Sequence, residues 1–507
     1  MLCNSHISFQ YIKITLTMNS SLLLTDKQVQ EFLINGYLIL QPNSLDRDFH
    51  STIFEQASSI FAKEGNPGNN ILPRIPQLQY VFDDPTIHGA LISLLGSNYT
   101  MQPHRHAHLT KPGSADQHWH KDSYFGYRKP LRHHQLRYVM AMYYAQDTTM
   151  EMGPTAIKPQ TQYIVKDRET SQQDDNMSEN NEQNDIYTIC KAGTVVLIHY
   201  DIVHRGTANQ TIKCNRFMFK FQFNRLEEPS KPTWNHDPLN AVYDAIDAGL
   251  LQPIVKHVWN WLLGEAIVPS LPPATNEHIL EWETQLHHQD GKIRLNAAYN
   301  LALNNQYHIL IQRLYKRKAI FCFEAANALT ACRYNQDALK ELQNVLKKEE
   351  RNERVAYCIV FIFSEMGSWA LEALPLIIHV MKTNDSWSVK QYCCEALGNI
   401  QSNEQFDDIS IIKCLTNALS DRNEESDTKD ASHVRLTAAL SLAKLGAKAI
   451  EAIPSLKDAL YFDPNRYVNG NALLALERIG TSEALNIVLN YLKTSRWCTK
   501  TTAASLF

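Results

Sequence analysis

Two short runs of the chain hold side chains whose types and spacing suit metal chemistry. The first is Gln117-His118-Trp119-His120-Lys121-Asp122. On extended backbone, residues two apart point to the same side, so His120 and Asp122 can converge on one point. The second is Ile198-His199-Tyr200-Asp201-Ile202-Val203-His204-Arg205-Gly206, directly after the strand-like run Thr194–Leu197. His204, arriving from a distant strand, closes a face of two imidazoles and one carboxylate. Such a face leaves three octahedral positions open, which is how non-haem Fe(II) centres take up a cosubstrate and O2 together. Twelve residues after His204 comes Arg216, opening the run Arg216-Phe-Met-Phe-Lys-Phe-Gln-Phe223. Its alternation is strict. The four phenylalanines must pack against another layer, so Arg216, Met218, Lys220 and Gln222 face the cavity that holds His204. A buried guanidinium needs an anion, and its planar fork suits a carboxylate. The set is the arrangement for 2-oxoglutarate, chelating iron at one end and salt-bridged to Arg216 at the other. Lys220 and the weaker candidate Lys213 are the alternative anion partners.

The elements that must position these residues are legible in outline. Thr25-Asp26-Lys27-Gln28 has the form of a capping box, Asn35-Gly36 is a helix stop, and Tyr37–Leu40 reads as a strand. Helical patterns over 47–64 and 85–95 close at Gly65 and Gly96. From Met101 to Phe223 the texture is β-rich. Strands are expected over Arg137–Tyr144, Tyr187–Cys190, Thr194–His199 and Arg216–Phe223, with turns such as Met152-Gly153-Pro154 between them. Residues 168–185 are polar and read as a loop insert. His104, His106, His108, His118, His133 and His134 read as ordinary strand or loop histidines, and Trp119 as packing.

After Pro229-Ser-Lys-Pro232 the strands stop and the pattern turns helical over 238–265, with a linker at 269–273. Beyond it an apolar-x-x-x-small-small pattern recurs, as in Ile293-Arg-Leu-Asn-Ala-Ala298 and Val434-Arg-Leu-Thr-Ala-Ala439. Anchors at Ile293, Phe321, Val355, Val389, Val434 and Val468 are spaced by 28, 34, 34, 45 and 34 residues, the long interval holding a charged insert at 423–432. Helix pairs at this period stack into an α-solenoid resembling HEAT repeats.

Residues Leu24–Arg225 resemble the phytanoyl-CoA dioxygenase family of Fe(II)/2-oxoglutarate oxygenases. The resemblance is carried by the opening run Leu24–Leu40, by Glu151-Met-Gly-Pro-Thr-Ala-Ile-Lys-Pro159 and by Ala192-Gly-Thr-Val-Val-Leu-Ile-His-Tyr-Asp-Ile-Val-His204. It implies a double-stranded β-helix (jelly-roll, cupin-like) core with flanking helices. It also implies His120, Asp122 and His204 as iron ligands, Arg216 as the cosubstrate's carboxylate partner, and Fe(II), 2-oxoglutarate and O2 as cofactor and cosubstrates. One departure is that the family's Pro-Gly-Ser-His is here Pro159-Gln-Thr-Gln162; another is the insert at 168–185.

The expected organisation is multidomain. An uncertain extension at 1–17, with Met18 an alternative start, precedes a catalytic domain at 18–232. A helical connector and linker at 233–276 leads to an all-α HEAT-like solenoid at 277–507. The expected activity is hydroxylation of a small-molecule or carrier-bound substrate, with release of succinate and CO2. The alternative is a non-catalytic scaffold whose solenoid binds a partner while the barrel is a degenerate ligand-binding module. In the catalytic reading, too, the solenoid is a possible docking site for a protein partner, lying outside the catalytic fold. At 507 residues the chain holds about two to four domains, and its net charge of −4 gives no bulk attraction to nucleic acid. No uninterrupted apolar run approaches the ~18 residues of a membrane span. The ten cysteines form no CxxC pair, which suits reduced thiols in an intracellular, cytoplasmic protein.

Overall fold

A computed structural model describes residues 22–122, 129–165, 184–238, 247–264, 274–400, 408–422 and 431–494. The extension at 1–17 with Met18, nearly all of the polar insert, the linker at 269–273 and most of the charged insert lie outside the described residues.

The described strands are β1 (Tyr37–Leu40), β2 (Tyr99–Thr110), β3 (Tyr138–Tyr143), β4 (Thr155–Lys158), β5 (Ile186–Tyr187), β6 (Val195–His199), β7 (Val203–Gly206) and β8 (Arg216–Arg225). They form a five-stranded sheet in the order β1-β6-β3-β8-β2 and a three-stranded sheet β5-β4-β7, the two walls of a jelly roll. The alternation in β8 decides which face is which. Phe217 lies edge-on to Phe54 and Phe61 at 5.6 and 5.2 Å, and Phe82 packs on Phe221 at 4.4 Å. Helices Arg47–Glu64 and Leu78–Asp83 thus cover the phenylalanine face, leaving the other face to line the interior. The helix Arg47–Glu64 starts where the Asp46 side chain accepts from Phe49 N; Pro85–Leu95 starts at Asp84, with proline in its first turn.

Strand β2 has no counterpart among the expected strands. It is twelve residues long and pairs with β8 on either side of an irregularity between Met101 and Arg105, setting His106 opposite Lys220, His108 opposite Met218 and Thr110 opposite Arg216. Directly opposed residues share a face, so these two histidines also face the interior.

All six anchor residues fall in the first helix of a pair: Gly291–Leu303, Ala319–Leu329, Glu353–Met366, Trp387–Asn399, Ala431–Leu445 and Arg466–Ile479. The stretch Glu353–Thr383 is apolar enough to cross a membrane by length and composition, yet 61% of its most apolar window is buried within the protein. It also breaks at Gly367, whose φ is +59°. The sequence places this array outside the catalytic fold, whereas the structure packs it into that fold. Tyr299 OH meets His134 Nδ1 at 2.8 Å, Tyr467 OH meets His104 Nδ1 at 2.8 Å, and a Cβ on Gly470 would sit 2.8 Å from Pro103 Cγ.

Candidate active site

His120 and His204 exchange both backbone hydrogen bonds, His120 N to His204 O at 3.1 Å and the reverse at 3.0 Å. In such an antiparallel pair the two side chains stand on one side, and the imidazole centroids are 4.6 Å apart. Each ring donates Nδ1–H to the carbonyl two residues earlier, His120 to His118 at 2.8 Å and His204 to Ile202 at 3.1 Å. That fixes both tautomers and leaves both Nε2 atoms with a free lone pair. Asp122 completes the set, with Oδ1 at 3.9 Å from His120 Nε2 and Oδ2 at 3.7 Å from His204 Nε2. One donor atom from each residue lies within 4.8 Å of the other two.

The protonation states suit a cation. Burial pulls His204 down to about 4 despite Asp122, so its imidazole is neutral at pH 7. Burial would push the Asp122 carboxyl up, but Lys220, His204 and His120 outweigh it and hold it well below the usual carboxylate range. Lys220 Nζ is 2.8 Å from Asp122 Oδ2. Two imidazole Nε2 atoms and an ionised carboxylate make a donor set that fits Fe(II).

Arg216 lies four residues before Lys220 on the same face of β8, roughly 13 Å along the strand. It is buried, 1% exposed, and its Nε donates to the Gly153 carbonyl at 2.9 Å. Gly153 is required there. Its φ is +72°, and a Cβ would sit 2.5 Å from Thr207 O. Among the described residues no carboxylate pairs with Arg216, so its fork fits an anion brought from outside. Lys213 is exposed on the preceding loop, which removes it as an alternative, whereas Lys220 is buried in the cavity.

The other sequence readings sort by this geometry. Trp119 does pack, between Lys158 Nζ at 4.5 Å and the Arg205 guanidinium at 4.6 Å. The departure at Pro159–Gln162 is structural. Gln160 takes φ +63°, and Gln162 Nε2 caps the helix Asp26–Asn35 through Leu33 O at 2.9 Å and Ile34 O at 3.1 Å. His106 and His108 are the residues sequence reasoning missed. Their rings are 4.5 Å apart on the inner wall, and burial with nearby Lys220 holds both below the usual histidine range. The alternation His104-x-His106-x-His108-x-Thr110 was the available signal.

A jelly roll presenting two histidines and an aspartate on one face fits a class, the Fe(II)/2-oxoglutarate-dependent oxygenases, and comparison with known families agrees. Residues 51–218 match the family "Phytanoyl-CoA dioxygenase (PhyH)" and residues 426–506 match "HEAT repeats", so the chain joins a phytanoyl-CoA dioxygenase-family oxygenase domain to a C-terminal HEAT array. Fe(II) and 2-oxoglutarate are the cofactor and cosubstrate of that class. No curated protein matches the chain. Similar solved structures include HygX from Streptomyces hygroscopicus with nickel and 2-oxoglutarate bound, at 12% identity over 40% of this chain and 88% of that one, TM-score 0.34. The carbocyclase SnoK from nogalamycin biosynthesis is 15% identical over 44% and 92%, TM-score 0.33. EctD from S. alaskensis with bound Fe is 16% identical over 42% and 81%, TM-score 0.33.

Proposed function

We propose that the protein hydroxylates a small-molecule or carrier-bound substrate, with His120, Asp122 and His204 as iron ligands and Arg216 as the partner of the cosubstrate's distal carboxylate. One observation carries the reading: three donor atoms within 4.8 Å of one another, in a cavity whose wall also holds a buried arginine without a carboxylate. When bound, Fe(II) with 2-oxoglutarate and O2 supplies the oxidation, releasing succinate and CO2 as a substrate C–H becomes C–OH.

The chain's own residues do the positioning. Arg216, held by the Gly153 carbonyl, orients the anionic cosubstrate. Lys220 keeps Asp122 ionised and fixes one of its oxygens. Met140, Met142 and Met218 share the inner face with His106 and His108 and keep water from the wall. A carboxylate at Asp122 fills the coordination position that halogenation requires for chloride, so oxygen is the atom transferred. A scaffold with an idle barrel has no support in a cavity that keeps all four residues. A protein partner at the array has only the faces that the catalytic domain leaves uncovered.

The test is anaerobic titration with Fe(II) and 2-oxoglutarate, followed by succinate release on admitting O2 with a metabolite extract. Hydroxylated product with stoichiometric succinate is expected. Absence of 2-oxoglutarate affinity in the iron-loaded protein overturns the reading.

A further inference from the structure

Between Asp122 and β3 the chain runs through a short strap, residues 129–137, and the array grips this strap by alternate residues. Lys129 Nζ pairs with Glu395, and Leu131 exchanges two hydrogen bonds with the Tyr392 hydroxyl, at 2.9 and 3.1 Å. His133 lies between two carboxylates, Nδ1 at 3.0 Å from Glu365 and Nε2 at 3.2 Å from Glu395. Arg137 Nε donates to Glu365 at 2.7 Å. Glu365 and Glu395 come from two successive first helices of the array, and both are buried.

Arg132 turns the other way, toward the candidate site. Its Nη1 donates to the backbone carbonyl of Asp122 at 2.6 Å and pairs with the carboxylate of Asp201. Asp201 is buried and stands three residues before His204. One guanidinium therefore ties together the two segments that carry the candidate ligands.

The electrostatics make the grip obligatory. Lys129, His133 and Arg137 are three cations on nine residues, and they stay buried only while carboxylates neutralise them. Removing a carboxylate leaves like charges facing one another out of water. The strap then has to shift toward solvent, and Arg132 shifts with it.

We propose that Glu365 and Glu395 are positioning residues for the metal site: through the strap they fix Arg132, and through Arg132 the spacing of Asp122 and His204. The proposal rests on the reading of Asp122 and His204 as metal ligands. It makes the array part of the site's scaffold, an internal counterpart of the outer-shell groups that orient metal ligands elsewhere.

The experiment is Co(II) titration of the full-length protein followed by its visible absorption, which needs no turnover. Wild type and His204→Ala come first, with binding expected in the former only. Equal binding by both, or none by the wild type, removes the ligand reading and this proposal with it. Glu365→Gln and Glu395→Gln, which keep side-chain shape, are then expected to weaken Co(II) binding by roughly tenfold to a hundredfold and to alter the absorption envelope. Arg132→Met should do the same. The Glu395→Gln/Arg132→Met double variant should lose less than the product of the two single losses, because both act through one strap. Arg435→Met breaks the buried Arg435–Asp463 pair elsewhere in the array, Nε to Oδ2 at 2.7 Å, and controls for lost stability. It should leave Co(II) affinity within about twofold of wild type, since it lies outside the coupled network. Wild-type affinity in both Gln variants, or an equal loss in Arg435→Met, overturns the proposal. Arg132 is partly exposed, so its variant tests the same link even where a Gln variant fails to fold; wild-type affinity in Arg132→Met also overturns it.

Discussion

Among the described residues, the buried charges at the strap and those in the cavity are paired differently. At the strap, Lys129, His133 and Arg137 meet Glu228, Glu365 and Glu395, with the Lys444 ammonium close by. Burial alone would strip His133 of its proton, yet Glu395 and Glu365 outweigh it and raise its pKa. In the cavity, Lys220 pairs with Asp122, while among the described residues Arg216 meets no carboxylate and donates to the Gly153 carbonyl. Burying an ion costs several kcal/mol unless a partner offsets it. The strap charges meet carboxylates within the chain, whereas Arg216 keeps a fork that fits an anion, as the proposed function requires.

Four measurements break or sharpen that contrast. The largest effect is expected from His204→Ala, which removes a ligand without touching the strap. Iron binding at micromolar metal should be lost, with an unchanged circular dichroism spectrum; full occupancy would end the metal assignment. Next, Arg216→Met should cost about 3–5 kcal/mol of 2-oxoglutarate binding, or about two to three and a half decades in Kd by calorimetry. Apoprotein stability should not fall, because no carboxylate loses its partner. Unchanged affinity would transfer the role to Lys220.

The strap should behave in the opposite way. Glu395→Ala removes the carboxylate paired with Lys129, while Glu365 still holds His133, so a loss of about 3 kcal/mol in unfolding free energy is expected by chemical denaturation. A loss under about 0.5 kcal/mol would make this an ordinary surface pair. The smallest effect concerns pH. His133 has a folded pKa raised above its unfolded value of about 6.5, so its contribution is fully present below that value. It fades as pH rises through the raised pKa. Above about pH 6.5 the slope of melting temperature with pH should therefore be more negative in the wild type than in His133→Gln, and parallel profiles would mean that His133 is not charged in the fold.

The candidate site residues were legible because their chemistry is local. His120-x-Asp122 needs only extended backbone, and the alternation of β8 announces its own two faces. The repeat was legible for a similar reason, since each helix pair restates one pattern. Strand β2 was not, because Pro103 and a mixture of histidines and arginine interrupt any apolar alternation, and its partner β8 lies about a hundred residues away. The strap was the deeper omission. Lys129, Arg132, His133 and Arg137 look like a solvated basic run, and their partners sit in the apolar stretches Val355–Met366 and Tyr392–Ala396. A lone carboxylate inside such a stretch, Glu365 after Cys358-Ile-Val-Phe-Ile-Phe363 and Glu395 after Cys393-Cys394, was the mark of a buried counterion. Sequence alone could show that each needed a cation, but not which one.

The distance along the chain between the strap and its counterions has a consequence for biosynthesis. Arg137 precedes Glu365 by 228 residues, and Lys129 precedes Glu395 by 266. At roughly 5–20 residues per second on the ribosome, the second separation is about 13–50 s of translation. From the completion of β8 at Arg225 until the array is made, the strap has Glu228 beside Arg137 but not yet Glu365 or Glu395. On the proposed role of the strap, the candidate metal site is expected to take its final spacing only after Glu365 and Glu395 have been made.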